Sequence, residues 1–302
     1  MQRALIIGIV YLLLFGCSAS SIRDESVMPS TVSAPLLTGP KKRVFISEFE
    51  NRTSYGQRRL GSGISDILAT ELNATNGFIL LERARLDAVL KEQALGLSGV
   101  ISEQSAPKVG QLLGANAIVT GSVTQFGVRT EAQDLVITAS KKQIASCTVD
   151  IRLVDVSTGR IVWTGSGQGE AIRKYTNYLG SGTAGGYDEA LEGEALRSAI
   201  VNVMHNLLVG LEELEWSCTV AKVSGNSAYL NAGRNSNVKI GTTLLIYTPG
   251  EPILDPVTGA EIGRVDIKIG SGRIVAYFGD DGSVLEVNEG KEIVIGAICK
   301  LK

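Results

Sequence analysis

The chain has 302 residues, with 29 Lys and Arg against 31 Asp and Glu; a net charge of −2 supplies no basic field for nucleic acid. That length, less a short leader, holds two modest domains with cores of their own. Glycine is abundant at 35 residues and proline scarce at 7, a balance that suits turn-rich β structure better than disorder.

Arg3 gives a short positive start, and Ala4 to Phe15 is an apolar stretch of signal-peptide length. It is too short for a bilayer-spanning helix, which takes about 20 apolar residues. The run ends in Leu14-Phe15-Gly16-Cys17, a small residue followed by cysteine, the pattern of a bacterial lipoprotein signal. Cleavage before Cys17 would leave its thiol to carry a diacylglyceryl group and its new amine a third acyl chain. At roughly 0.8 kcal/mol per buried methylene, several chains make a firm anchor. The alternative is an ordinary secretory signal with a chance cysteine, or a buried N-terminal helix. No cofactor is expected beyond the covalent lipid on Cys17.

Residues 1–16 are therefore read as signal and 17–42, rich in Ser, Thr and Pro, as a flexible tether. Residues 43–214 form the first domain. Arg43 to Phe49 alternates as a strand does, and Leu60, Ile64, Ile67, Leu68 and Leu72 make a helical stripe that ends at Asn73–Gly77. A strand follows at Phe78–Leu81, then helices carrying Leu86 to Ala94 and Ala106 to Leu113. Ala117–Phe126 is a strand, Thr148–Thr164 a hairpin around Ser157-Thr158-Gly159, and Gly165–Gly186 a polar, glycine-rich stretch. Tyr187–Leu214 is a long helix with Leu191, Ala195, Ala199, Val203, Leu207, Leu208 and Leu211 on one face. This order makes a mixed sheet covered by helices, an α+β arrangement. Residues 215–302 turn to short alternating runs, at Ser227–Leu230, Thr243–Tyr247, Gly263–Ile269 and Arg273–Phe278, with a turn expected at Gly270-Ser271-Gly272. They predict a small all-β domain of five to seven strands.

No catalytic constellation emerges. His205, the only histidine, sits on the long helix with no second histidine to share a metal and no nucleophile elbow to serve. Gly180 to Gly185 matches a dinucleotide-binding glycine pattern in form, but such glycines need a strand before them and a βαβ unit around them. Here the preceding segment is polar and the glycines continue into Gly186. Glu48, Glu50, Glu192 and Glu194 read as solvated surface. Cys147, Cys218 and Cys299 have no metal-ligand spacing; one disulfide with a thiol left over, or three buried small side chains, both fit. An enzyme is not expected, nor a metal or bound cofactor.

The chain resembles the curli production assembly/transport component (CsgG) family over about Lys42 to Leu214. The resemblance is carried by Arg43–Ser47, Phe78–Arg83, Leu113–Ser122 and Val149–Ile161, together with the Cys17 signal. The end of the chain, with Leu230-Asn231-Ala232-Gly233 and Val238–Gly241, resembles the small β domain of flagellar assembly T-type proteins. The family resemblance implies an outer-membrane lipoprotein, mainly on the periplasmic side, that forms a homo-oligomeric ring. Each subunit would give two β-hairpins to one barrel, and a loop would narrow the pore through which fibre subunits leave. A secreted or envelope protein would be the partner.

Set against that implication, the first candidate membrane hairpin lies between Phe126 and Val149. Val128, Thr130, Ala132 and Val136 share a face interrupted by Asp134, with a charged turn at Lys141-Lys142. The second lies between Trp163 and Tyr187, where Trp163, Tyr175, Tyr178 and Tyr187 could form interfacial girdles but Gly180–Gly186 makes a poor strand. Tyr55, in the loop between Glu50 and Arg59, is the candidate constriction residue or a plain surface residue. Two readings stay open: an export-channel or assembly component for a surface fibre, and a lipid-tethered periplasmic interaction module comparable to cell-wall-synthase activators or a flagellum-associated scaffold.

Overall fold

The computed structural model describes residues 39–56, 58–82, 114–134, 138–178, 189–257, 261–290 and 292–302. Cys17, the tether up to Thr38, the helices expected at Leu86–Ala94 and Ala106–Leu113, Val136, Gly180–Gly186 and Tyr187 lie outside the described residues.

The first unit is a mixed sheet with helices on one face. Strand β1 (Lys42–Ile46) is flanked in parallel by β3 (Phe78–Leu81) and β4 (Ala117–Asp134), and β2 (Glu50–Asn51) adds a short parallel pair to β4. From β4 the sheet continues antiparallel through β5 (Thr138–Asp155) to β6 (Ile161–Tyr178), giving the order β3-β1-β4-β5-β6. Helix α1 (Arg58–Ala74) buries Leu60, Ile64, Leu68 and Leu72 completely, one residue per turn along the expected stripe. It stops where Asn76 takes φ 52°, a left-handed position that asparagine tolerates.

Helix α2 (Glu189–Glu213) buries the seven residues of its predicted face and also Leu196, Ile200 and Met204. The stripe is wider than expected because α2 faces both the sheet and α1, where Gly63 lies beside the Leu196 side chain. The two helices are further tied by ion pairs from Arg59 to Glu192 at 2.9 Å and from Arg197 to Glu71. Glu192 is thus a buried, paired carboxylate and not the solvated one expected, while His205 points to solvent.

The second unit is a closed antiparallel barrel in the order β12-β13-β8-β7-β14-β9. Its strands are β7 (Ser217–Ser224), β8 (Ser227–Leu230), β9 (Thr243–Thr248), β12 (Ile267–Phe278), β13 (Gly282–Gly290) and β14 (Ile298–Leu301). A side ribbon of β10 (Pro252–Leu254) and β11 (Glu261–Arg264) brings the described strands of this unit to eight, beyond the expected five to seven. Gly270-Ser271-Gly272 is not a turn. It lies within β12 at a bulge, where the backbone of β13 comes so close that a Cβ on Gly272 would sit 2.5 Å from the Glu286 carbonyl oxygen. Val220, Leu230, Leu244, Ile246, Ile274 and Leu285 fill the barrel as a core separate from that of the first unit.

Candidate functional site

Two features stand out as candidates: the three long strands, and the junction between the units. Strands β4, β5 and β6 have 18 residues each, three times the usual strand length, and pair along their whole described course. The charged turn expected at Lys141-Lys142 is instead strand, Lys142 opposite Glu131 and Lys141 opposite Ala132. Strand β4 is described to Asp134 and β5 from Thr138. The glycine-rich stretch after Trp163 is likewise strand as far as Tyr178. The two separate hairpins of the sequence reading are therefore one three-stranded ribbon with β5 in the middle.

The reason for that misreading is Gly165, Gly167 and Gly169. Every second residue of β6 faces α2, and a Cβ on Gly167 would lie 2.2 Å from the Ala199 carbonyl oxygen. On Gly169 it would lie 2.2 Å from the Ala199 nitrogen and 2.4 Å from the Ala195 carbonyl oxygen. The glycines are there so that helix backbone can rest directly on strand backbone. Trp163 lies over Gly165 and against Gly210 of α2, which makes it a packing residue of this seam. Val128 is half-buried against the same core, whereas Thr130 and Ala132, on the same face, are exposed. Tyr175 lies opposite Lys141 in β5. Tyr55 is half-buried and tilted against Phe126 of β4 with ring centroids 4.7 Å apart, and its carbonyl accepts a hydrogen bond from the Asn51 side chain.

Towards their free ends the strands carry charge on both faces. Arg129, Glu131, Lys142 and Lys174 fall on one face and Lys141 and Arg173 on the other, with Glu131 paired to Arg129 at 3.5 Å and to Lys142 at 3.8 Å. Arg173 turns back to Glu194 of α2 at 2.6 Å.

The junction is built on Arg43. Its guanidinium donates to the Asn231 carbonyl at 2.6 Å and approaches the Asp281 carboxylate at 3.6 Å. Asp281 in turn accepts from the backbone N–H groups of Gly233 and Ser236 and from the Ser236 hydroxyl. Asn116 works from the other side, accepting from the Arg43 N–H at 2.8 Å and donating to the Ser217 carbonyl at 2.8 Å. Lys41 donates its N–H to Ser236, and the Trp216 indole donates to the Lys41 carbonyl at 3.3 Å. Lys42 donates to the Glu212 carbonyl; burial lowers the pKa of its ammonium, and the nearby Glu212 carboxylate opposes that shift. The residues that carried the two resemblances, Arg43, Asn116 and Leu230–Gly233, thus meet at one seam. A groove of about 800 Å³ opens beside it, lined by Lys41, Arg43, Asn76, Arg234, Asp281 and the outer edge of β3. Sequence reading missed this seam because the partners that join one unit to the other lie more than 100 residues apart.

Among the described residues no group of three or more His, Cys, Asp or Glu could hold a metal ion. Among them too, no helix is long and apolar enough to cross a membrane.

Comparison with known proteins gives one family match, to the curli production assembly/transport component CsgG, over residues 25–239. A lipoprotein of Neisseria meningitidis serogroup B, NMB1126/NMB1164, is 31% identical over 225 residues, which are 71% of this chain and 96% of the relative. Among solved structures, lipoprotein GNA1162 from Neisseria meningitidis aligns with a TM-score of 0.34 and 21% identity, covering 55% of this chain and 99% of that one. The C-terminal domain of LpoB from Escherichia coli aligns with a TM-score of 0.33 and 18% identity, covering 46% and 88%.

Proposed function

The chain belongs to the curli production assembly/transport component family, and from that premise we propose that it is a non-enzymatic, lipid-tethered envelope protein acting as an interaction module. Cys17 carries the lipid, the following residues act as tether, and the sheet-and-barrel body binds a protein partner of the envelope. The NMB1126/NMB1164 relative is a lipoprotein by its name, which accords with a lipid on Cys17.

The observation that carries the module reading over the ring channel is the charge at the strand ends. A barrel wall needs an apolar residue at every second position over about 9–11 residues, and a Lys or Arg facing lipid at mid-bilayer costs on the order of 2–4 kcal/mol. In β4–β6 both faces bear charges in that region, several of them in ion pairs suited to water. Strand length favours the second reading, an oligomeric outer-membrane export component for a surface fibre, since 18 residues exceed what a membrane demands.

Native mass measurement of the full-length lipoprotein in mild detergent, followed by conductance in planar bilayers, tests the choice. The module reading expects a non-conducting species whose membrane association is lost in Cys17→Ser and unchanged in Thr130→Asp/Ala132→Asp. A closed ring that conducts, and loses conductance in the double variant, overturns it in favour of the channel.

A further inference from the structure

Cys218 of β7 and Cys299 of β14 are register partners, directly opposite one another across the antiparallel pair that brings the last strand of the barrel against its first. Both side chains lie within the barrel core, 4% and 0% exposed, so both point to the same side of the sheet. Residues directly opposed in antiparallel strands have Cα atoms about 4.5–5.5 Å apart, inside the roughly 4.4–6.8 Å span that a disulfide bridges. Cys147 belongs to the other core and has no such neighbour in register.

We propose that Cys218 and Cys299 are a disulfide-forming pair that closes under oxidising conditions and clasps β14 to β7, leaving Cys147 as a thiol. The expectation that the clasp is closed in the mature protein rests on the envelope location proposed above. Closure takes an oxidant of the thiol–disulfide class. The thiolate of one cysteine attacks the oxidant's disulfide, forming a mixed disulfide and releasing one thiolate. The second cysteine, its proton lost to solvent, attacks the protein sulfur of that mixed disulfide, forming the S–S bond and releasing the other thiolate. Two electrons pass to the oxidant, whose one disulfide becomes two thiols.

In the closed barrel neither sulfur is open to an oxidant, so the exchange belongs to the stage before β14 docks. Burial, and then the adjoining Cys299 thiol, push the Cys218 thiol well above its ordinary pKa, which makes the finished barrel slow to react. The bond would close a loop of roughly 80 residues that includes most of the barrel, the kind of long loop for which cross-linking restricts the unfolded chain most.

The test is thiol mapping of the full chain exported with its own signal, denatured in maleimide and digested. The expected result is label on Cys147, none on Cys218 or Cys299, and one linked peptide pair that reductant separates. Reduction should then lower the barrel's thermal midpoint, read at Trp216, by roughly 10 °C or more, in Cys147→Ser as in the parent. A reduced sample refolded with oxidised glutathione separates two failures. If the exported chain is labelled at both cysteines but the refolded chain is linked, the pair stands and the envelope reading falls. If Cys218 and Cys299 are labelled in both samples, the pair itself is overturned.

Discussion

The two units of this protein solve the same problem, what to do with a sheet's edges and ends, in opposite ways. The barrel closes on itself, so each of its six strands has two neighbours and its core is filled from every side. The first unit extends three strands far beyond the part that α1 and α2 cover, and its core thins from the wholly buried Val149 and Ile151 to exposed Thr130 and Ala132. Closure gives a compact, self-sufficient body, and extension gives a surface that only a partner or a second layer could finish. The difference teaches where exposure and where rigidity reside: the described ends of the strand ribbon lie open, and the barrel is a fixed block set against its root.

The contrast can be broken most severely at the β6–α2 seam. Gly169→Val places a side chain where Ala199 and Ala195 backbone atoms already sit, and should cost at least about 3 kcal/mol in the first unit or prevent it from folding. The chain's two tryptophans report the outcome separately, Trp163 from the seam and Trp216 from the barrel core. Urea unfolding followed by fluorescence, with the other tryptophan replaced by Phe, should show the Trp163 transition lost or moved and the Trp216 transition retained.

Uncoupling the units is the next largest effect expected. Arg43→Ala removes the donor to Asn231 and the charge facing Asp281, a loss of roughly 2 kcal/mol. The gap between the two tryptophan transitions along the denaturant axis should then widen; an unchanged gap would show that Asn116 and Lys41 hold the junction without it.

A third test uses pH. Burial pushes the Cys147 thiol up from its ordinary 9.0 to about 12 in the folded first unit. A raised thiol pKa favours the neutral form, so this contribution is fully present below pH 9 and is lost as the pH climbs from there to about 12. Cys147→Ala should flatten that alkaline decline, by at most about 1.4 kcal/mol per pH unit, in the Trp163 signal and not in that of Trp216. In the barrel, burial works against the Lys300 ammonium, but Glu215 and Asp266 outweigh it and raise its pKa, so a separate loss should begin above pH 10.5.

The smallest effect is local. Asn76→Gly relieves a left-handed φ of 52° and forfeits an exposed hydrogen bond from Lys41, and stability should change by no more than about 0.5 kcal/mol. A larger loss would mean that the Asn76 side chain matters to the groove it lines.

Much of the fold was legible because it follows from short-range pattern. The period of Leu60, Ile64, Leu68 and Leu72 places α1, and the apolar run Phe78–Leu81 and the alternating Ser227–Leu230 are strands with the bounds expected of them. The strand ribbon is hidden in a polar, glycine-rich stretch: Gly165, Gly167 and Gly169 are strand glycines whose purpose appears only when α2 is laid on them. Lys141 and Lys142 misled for a related reason, since two adjacent lysines signal a turn only if no Glu131 stands across from them. Of the candidate site residues, Trp163 and Val128 turned out to serve packing, and the junction residues Arg43, Asn116 and Asp281 gave no local sign of their role.

The position of β1 has a mechanical consequence. The described chain enters the body at Gly39 and runs at once into β1, which is gripped along its length by parallel strands on both sides and cross-linked to the barrel through Arg43. A pull on the N-terminal segment therefore loads those hydrogen bonds in shear, all together, and would not peel them one at a time. Under such a load the ladder from β1 to β3 and β4 should outlast contacts of this unit that open by peeling.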